Sequence, residues 1–183
     1  MVLDVASFRI QPSFKKKIRQ FRQMPFYEIR FDSAFDQVIQ ACASSARDGQ
    51  AGTWIVPEMI AAYGRLHRAG FAHSVETWVD GELAGGLYCV AMGKAVFGES
   101  MFSRVSDASK MALAALVGFC RHHGIAQIDC QQNTAHLALL GAAEIARSLF
   151  LKRVSHGLAQ TGPDWVFDSE YWHHLLASKA VPT

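Results

Sequence analysis

Hydrophobic residues near the start of the chain recur every three or four positions, at Phe14, Ile18 and Phe21. This spacing predicts a helix over residues 13–23 whose other faces carry basic side chains. Residues 27–31 alternate between apolar and polar side chains, which is the period of a half-buried strand. The front of the chain is therefore expected to form a helix followed by a strand.

Two further helices are predicted in the next part of the chain. Asp32 or Ser33 can cap a helix that runs to about Ser45, and Pro57 suits the first turn of the following helix. Residues 46–53 contain two glycines and are expected to form a loop between these helices.

The pattern then changes to that of strands. Residues 74–79 and 82–90 flank an Asp-Gly pair at 80–81, which is a strong signal for a two-residue hairpin. A short strand is predicted at 94–97. A sheet built from neighbouring hairpins is largely antiparallel.

The second half of the chain is predicted to contain a long apolar helix. Ser106 or Asp107 can cap it, and it should end near His123. Residues 125–130 form an apolar run typical of a buried strand, and residues 134–140 are expected to begin another helix.

These elements predict an α+β, or mixed α/β, fold with a largely antiparallel central sheet flanked by helices. We expect a basic helical segment at 1–31, a main domain at 32–156 and an aromatic tail at 157–183. The tail contains Gly and Pro residues, and it is expected to wrap back over the domain.

Composition narrows the class of protein. The longest apolar stretch, residues 111–120, is too short to span a bilayer, and the N-terminus lacks the pattern of an export signal. Four scattered cysteines without a Cys-x-x-Cys pair are expected to be reduced thiols. The predicted location is the cytoplasm, with no membrane partner.

Charge is unevenly distributed along the chain. The net charge is +2, yet the first 30 residues carry seven basic side chains against two acidic ones. A basic patch on a nearly neutral body is typical of a surface that contacts a polyanion, although a solvated helix face would give the same pattern. The candidate residues for binding such a polyanion are Lys15, Lys16, Lys17, Arg19 and Arg22.

Common motifs for cofactors and metals are absent from the sequence. It has no Gly-x-Gly-x-x-Gly, no Walker loop, no His-Glu-x-x-His and no Gly-x-Ser-x-Gly. The histidine pairs at 122–123 and 173–174 are sequence neighbours, which point to different faces of a helix and rarely share a metal. We therefore expect neither a metal nor a cofactor.

Four short stretches carry most of the residues that could perform chemistry. They are Thr53-Trp54-Ile55 with Tyr63 to His67 beyond it; Ala72-His73-Ser74-Val75-Glu76; Gly98-Glu99-Ser100-Met101-Phe102-Ser103 with Ala108-Ser109-Lys110 after it; and Ile128-Asp129-Cys130-Gln131 followed by His136, Gly141-Ala142, Glu144-Ile145 and Arg147. In this order and spacing the chain resembles the bacterial leucyl/phenylalanyl-tRNA–protein transferases, over about residues 14–150.

The resemblance implies a domain similar to the acetyltransferase (GNAT) fold, but without its coenzyme. A GNAT protein needs a Gly-rich turn before its long helix, where main-chain N–H groups hold a pyrophosphate. Residues 104–109 contain no glycine here, and Asp107 would repel phosphate. Acetyl-CoA is therefore not expected as a partner.

The resemblance also assigns catalytic roles. In the family, Asp129 and Gln131 would orient the attacking amine and favour its developing charge. Residues two apart on a strand project to the same face, so both are expected to lie on one strand face. The alternative is a carboxylate and an amide that cap the next helix.

Substrate-binding roles follow from the same resemblance. Glu99, expected at the exit of a strand, would pair with the side chain of an acceptor N-terminal Arg or Lys, unless it is an exposed turn residue. Trp54 and Tyr63 would contact the terminal adenosine of the tRNA, unless they belong to the core. The residues that match the family's apolar pocket, or a plain core stripe, are Leu87, Val96, Leu113, Leu116 and Ile128.

The implied reaction moves Leu or Phe from charged tRNA to the N-terminal amine of proteins beginning with Arg or Lys, which marks them for degradation. Two alternatives remain: acylation of a small-molecule amine, and a non-catalytic module that binds tRNA or an N-terminus. Family members carry a further tryptophan-rich segment upstream. One aromatic wall of the pocket is therefore expected to be missing, or to be supplied by the tail aromatics Trp165, Phe167, Tyr171 and Trp172.

Overall fold

The computed structural model describes residues 1–45 and 54–176. Its strands are β1 (Val2–Asp4), β2 (Tyr27–Phe31), β3 (Ala72–Val79), β4 (Glu82–Met92), β5 (Ala95–Ser103) and β6 (Gln127–Asp129). They form one sheet in the order β1-β6-β5-β4-β3-β2, in which every neighbouring pair is antiparallel except β5 and β6. The predicted α+β class and largely antiparallel sheet are confirmed.

Helices flank both faces of this sheet. They are α1 (Pro12–Phe21), α2 (Phe35–Ser44), α3 (Pro57–Arg68), α4 (Ala108–His122), α5 (Ala135–Leu139), α6 (Arg147–Leu158) and α7 (His173–Leu176), with 3-10 turns at Val5–Ser7 and Ser169–Trp172. One apolar core joins α1 and α4 to the sheet face that carries Leu87, and a second joins α2 and α3 to the face that carries Tyr88. None of the described helices has the length and apolar character needed to cross a bilayer.

The hairpin prediction is confirmed. Asp80 and Gly81 have φ angles of 51° and 76°, and they join β3 to β4. Positive φ at both central residues gives a turn whose twist matches that of the flanking strands. The predicted strand at 27–31 and the predicted long helix that ends near His123 are also present.

Two strand lengths differ clearly from the prediction, while β3 and β4 are each two residues longer than predicted. β5 continues to Ser103, well past the predicted end at 97, because it stays paired with β4 along its whole length. β6 is shorter than the predicted 125–130, because its partners are available only for Gln127–Asp129. Pairing with neighbours set both lengths, and local sequence carries little information about pairing.

The predicted cap of α2 is wrong. The residue before the helix is Ala34, and neither Asp32 nor Ser33 caps it with a side chain. Instead Glu76, fully buried on β3, accepts a hydrogen bond of 3.2 Å from the Ala34 N–H and further bonds from the hydroxyls of Ser33 and Ser74. A carboxylate distant in sequence therefore satisfies the start of the helix. The loop predicted at 46–53 and the end of the chain at 177–183 lie outside the described residues.

The tail packs back over the sheet face that carries α4. Trp165 stacks on His73 with ring centroids 4.0 Å apart, and Tyr171 and Trp172 are buried. A Cβ at Gly118 would lie 2.7 Å from the carbonyl oxygen of Tyr171, so the close approach of the tail to α4 requires glycine there. The segments on both sides of 32–156 thus pack on the same sheet.

Candidate active site

A cleft opens where the two parallel strands separate. β5 and β6 pair only at Val96–Ile128 and Phe97–Asp129, after which β6 ends while β5 continues along β4. The cleft has a volume of about 540 Å³, and both Leu87 and Tyr88 line it. Adjacent residues of a strand point to opposite faces, so side chains from both faces of the sheet reach this cleft.

One wall of the cleft is apolar. The side chains that form it come from β4, β5, α4, β6 and α5: Leu87, Met101, Leu113, Leu116, Ile128 and Leu137. Four of the five predicted pocket residues are therefore brought together. The fifth, Val96, is buried and borders a different cavity. It lies where β5 and β6 are still paired, and the cleft begins only beyond that pair.

A β-bulge sets the position of Glu99. Tyr88 pairs with Ser100 and Cys89 pairs with Gly98, so Glu99 is the extra residue of β5. A bulge leaves one residue unpaired and redirects its side chain, and the Glu99 side chain lines the cleft. The expectation that Glu99 lies at a strand exit is wrong, because it lies inside β5.

Glu99 and Tyr63 are joined by a hydrogen bond. The Tyr63 hydroxyl donates to the Glu99 carboxylate at 2.8 Å. Burial raises the pKa of Glu99 above its ordinary value, the bond from Tyr63 opposes this shift, and the charge of Asp129 adds to it. Burial and the Glu99 carboxylate together raise the pKa of Tyr63 well above its ordinary value, so its hydroxyl remains a donor.

An aromatic group adjoins this carboxylate. Trp54 lines the cleft and is 41% exposed, so one ring is available to a ligand. It meets Tyr63 edge-on with centroids 6.5 Å apart, and Tyr63 in turn contacts Tyr88 at 5.1 Å. Tyr63 does not itself line the cleft; it supports Trp54 and Glu99 from behind. Tyr88 had no predicted role.

Asp129 and Gln131 are close but do not lie on one strand. β6 ends at Asp129, and Gln131 has a φ of 52°, in the left-handed region. The Asp129 carboxylate accepts a hydrogen bond of 3.0 Å from the main-chain N–H of Gln131, which stabilises this turn. Gln131 lines the cleft, whereas Asp129 borders the cavity on the other side of β6. The expected common strand face is therefore wrong.

The cavity bordered by Asp129, here called the rear cavity, is basic. It has a volume of about 460 Å³ between α6 and the paired part of β5 and β6. Its cationic lining residues are Lys94, Lys152 and Arg153, with His156, and Asp129 is the one carboxylate among its described lining residues. Arg153 contacts Gln127 at 3.2 Å and Asp4 at 3.8 Å.

Several polar residues of the cleft received no role from sequence reasoning: Ser100, Cys130, Gln132, Thr134 and His136. Four of them follow the end of β6, and their position after a buried strand was the available signal. Burial raises the pKa of the Cys130 thiol to about 11, so it is neutral near pH 7. Within residues 1–45 and 54–176, no three His, Cys, Asp or Glu side chains are grouped closely enough to hold a metal.

The predicted basic helix is present as α1. Lys17 forms an ion pair with Asp107, which also binds Lys110, and these cations lower the pKa of Asp107. Asp107 occupies the predicted N-cap position of α4 with a φ of 65°, but its side chain makes no capping bond. Lys16 is exposed and has no carboxylate partner in the described part of the chain. The outer face of α1 thus remains positively charged.

The tail aromatics do not reach the cleft. Trp165 packs on Phe31 and Phe119, and Phe167 and Tyr171 pack on each other. Phe167 also contacts Phe31, Tyr171 contacts Phe119, and Trp172 packs on Phe21. None of the four tail aromatics is among the described residues that line the cleft. The expectation that the tail supplies an aromatic wall is wrong, because these rings are used to attach the tail to α4.

Comparison with known proteins agrees with the motif resemblance. A family model described as leucyl/phenylalanyl-tRNA protein transferase matches residues 2–155. A protein of that name from Albidiferax ferrireducens is 74% identical over all of this chain and 72% of its own length. Proteins of the same name from Polaromonas sp. and Leptothrix cholodnii are 58% and 55% identical, over 98% and 96% of this chain and 70% and 69% of their own lengths.

Proposed function

The chain belongs to the leucyl/phenylalanyl-tRNA–protein transferase family, and from this premise we propose that it moves leucine or phenylalanine from charged tRNA to the N-terminal amine of proteins that begin with Arg or Lys. It is an aminoacyltransferase. One observation carries the proposed specificity: a cleft with an apolar wall also contains Glu99, a carboxylate whose pKa is raised by burial, and the amide of Gln131.

The donor would occupy the apolar side of the cleft. Leu113, Leu116 and Ile128 offer an apolar surface. This surface suits a side chain that is apolar and not branched at Cβ, such as that of leucine or phenylalanine. The exposed ring of Trp54 suits the terminal adenine, because stacking of a base on an aromatic ring contributes about 1–3 kcal/mol. The volume of the cleft, about 540 Å³, is in the range of pockets for small ligands.

The reaction is aminolysis of an ester that is already activated. An α-amine ordinarily titrates at about pH 8, so a useful fraction is unprotonated near neutrality. The side-chain carbonyl of Gln131 would accept a hydrogen bond from this amine and direct its lone pair at the ester carbon. Asp129 would act as a positioning residue, because its carboxylate holds the Gln131 N–H and favours positive charge nearby.

Glu99 would select the acceptor. A carboxylate that burial makes hard to ionise gains most from a cationic partner, and the guanidinium of arginine or the ammonium of lysine supplies one. Tyr63 would hold the carboxylate in place through its hydroxyl. The modified protein would then be marked for degradation.

The basic outer face of α1 would bind the tRNA. Lys15, Lys16, Arg19 and Arg22 are available for phosphate contacts, while Lys17 already pairs with Asp107. Such contacts position an RNA without reading its sequence, which leaves discrimination to the aminoacyl group. The proposed reaction uses neither a metal nor a cofactor, and it would take place in the cytoplasm, where charged tRNA is used.

A transfer assay tests the proposal. Labelled Leu-tRNA and Phe-tRNA are offered with an Arg-terminated peptide, a Lys-terminated peptide, a Gly-terminated peptide or a free amine. We expect label on the Arg and Lys peptides and little on the others. Transfer to the free amine alone would instead support small-molecule acylation, and tRNA binding without any transfer would support a non-catalytic module.

A further inference from the structure

Aminolysis needs a group that takes a proton. When the amine attacks the ester carbon, its nitrogen becomes positively charged and must lose a proton before the product is an amide. Gln131 has no basic atom that could accept it. Asp129 borders the rear cavity, and one of its oxygens already accepts the Gln131 N–H.

His136 is the remaining candidate within the cleft. The other titratable side chains that line it are Tyr88, Glu99 and Cys130. Glu99 is bound to Tyr63, and the Cys130 thiol is neutral with a pKa of about 11. An imidazole is the side chain that ordinarily changes charge between about pH 5 and 8, which suits proton transfer at neutral pH.

The position of His136 fits that role. It lies in the first turn of α5, which begins four residues after Gln131 and is capped by the Thr134 hydroxyl. The imidazole is exposed at the cleft and forms no hydrogen bond with any described residue. Two carboxylates flank this site: Glu99 lies across the cleft, and Glu144 accepts a hydrogen bond from Asn133, just before α5. Two cationic residues are also close: the Met1 ammonium lies 3.3 Å from the Gln131 carbonyl oxygen, and the main-chain N–H of Arg9 donates to Leu140 after α5.

We propose that His136 is the proton shuttle of the transfer reaction, an inference that rests on the function proposed above. The amine lone pair forms the N–C bond, and the imidazole of His136 takes a proton from the resulting ammonium. The C–O bond to the ribose 3′ oxygen then breaks. His136 returns the proton to that oxygen, which leaves as a hydroxyl, so the imidazole is neutral again and no other reactant is needed.

Rates of wild type and His136→Gln across pH test this role, with Leu-tRNA and an Arg-terminated peptide. The titration of the acceptor amine is common to both proteins and cancels in the ratio of their kcat values. We expect that ratio to be about 100 at about pH 8 and to fall toward one as the pH is lowered through the range in which imidazoles ordinarily gain a proton. Added imidazole should partly restore His136→Ala.

Leu139→Gln is the matched control, because Leu139 lies on the same short helix and is 72% exposed. It should behave like wild type at every pH. A wild-type to His136→Gln ratio that does not change with pH, or a ratio below about twofold, overturns the proposal even if the enzyme transfers leucine. Absence of transfer by the wild type would remove the proposed function itself, and the shuttle with it.

Discussion

The cleft and the rear cavity lie on opposite sides of one short strand, and their linings differ in kind. Ile128 lines the cleft, while Gln127 and Asp129 line the rear cavity. The cleft combines an apolar wall with Glu99, Gln131 and the exposed ring of Trp54. The charged residues that line the rear cavity are mostly cations, and the aromatic ring among its described lining residues is the half-buried Phe97.

The difference shows how two residues only two positions apart can have separate tasks. Strand alternation sends Asp129 to one side, and the left-handed turn at Gln131 brings the amide of Gln131 to the other. A hydrogen bond through the main chain joins the two residues without placing their side chains in one cavity. We infer that the reaction takes place in the cleft, and that the residues around the rear cavity stabilise β6.

The largest expected effect is on kcat, and it is expected for Gln131 in the cleft but not for Gln160 at the rear cavity. Gln131→Ala removes the group that we propose aims the amine, so kcat should fall about 100-fold, as for loss of one preorganised polar group in other enzymes. Gln160→Ala, at the rear cavity, removes an equal side chain and should leave kcat unchanged. tRNA affinity should stay constant in both. If turnover is undiminished in Gln131→Ala, this residue has no part in the mechanism.

A smaller effect, on tRNA affinity, is expected from reversing one charge on α1 and is compared with reversing one charge at the rear cavity. Lys16→Glu on α1 should weaken tRNA binding several-fold and reduce the slope of log affinity against log salt by about one. Lys152→Glu, at the rear cavity, changes the net charge equally and should alter neither quantity. Filter binding over a salt series distinguishes the two. Equal losses would mean that only total charge matters, and a larger loss for Lys152→Glu would place the RNA over the rear cavity.

The smallest expected effect is on stability. A carboxyl group whose pKa is raised in the folded state destabilises that state when it ionises, and the penalty appears as pH rises through the interval above the ordinary value of 4.5. Glu99→Gln should therefore raise the melting temperature of the ligand-free protein at pH 7. The gain should vanish as the pH falls below that interval, because Glu99 is then protonated in both the folded and unfolded states.

Glu82→Gln, exposed at the start of β4, is the control for this measurement. It should change the melting temperature little at any pH. A lower melting temperature for Glu99→Gln at pH 7 would show that the carboxylate stabilises the cleft, contrary to the expected sign. Thermal unfolding followed by circular dichroism between about pH 4 and 8 covers the interval set by the raised pKa.

Elements with a strong local period were predicted well. The alternation at 27–31, the Asp-Gly turn and the apolar run of α4 each contain within a few residues the information that sets their structure. The bulge at Glu99 could not be predicted, because it depends on how β4 and β5 are aligned across the hairpin. Val96 was assigned to the wrong cavity for a related reason, because the cavity that it borders depends on where β5 and β6 separate.

The sequence by itself determined the class of fold, the family and the set of residues able to do the chemistry, because composition, period and motif order are properties of the chain. The tertiary structure decided which of those residues share a cavity. Asp129 and Gln131 are two positions apart in every conformation. The end of β6 and a single positive φ send their side chains to opposite sides of the strand, since pairing energy and backbone geometry depend on residues far away in sequence.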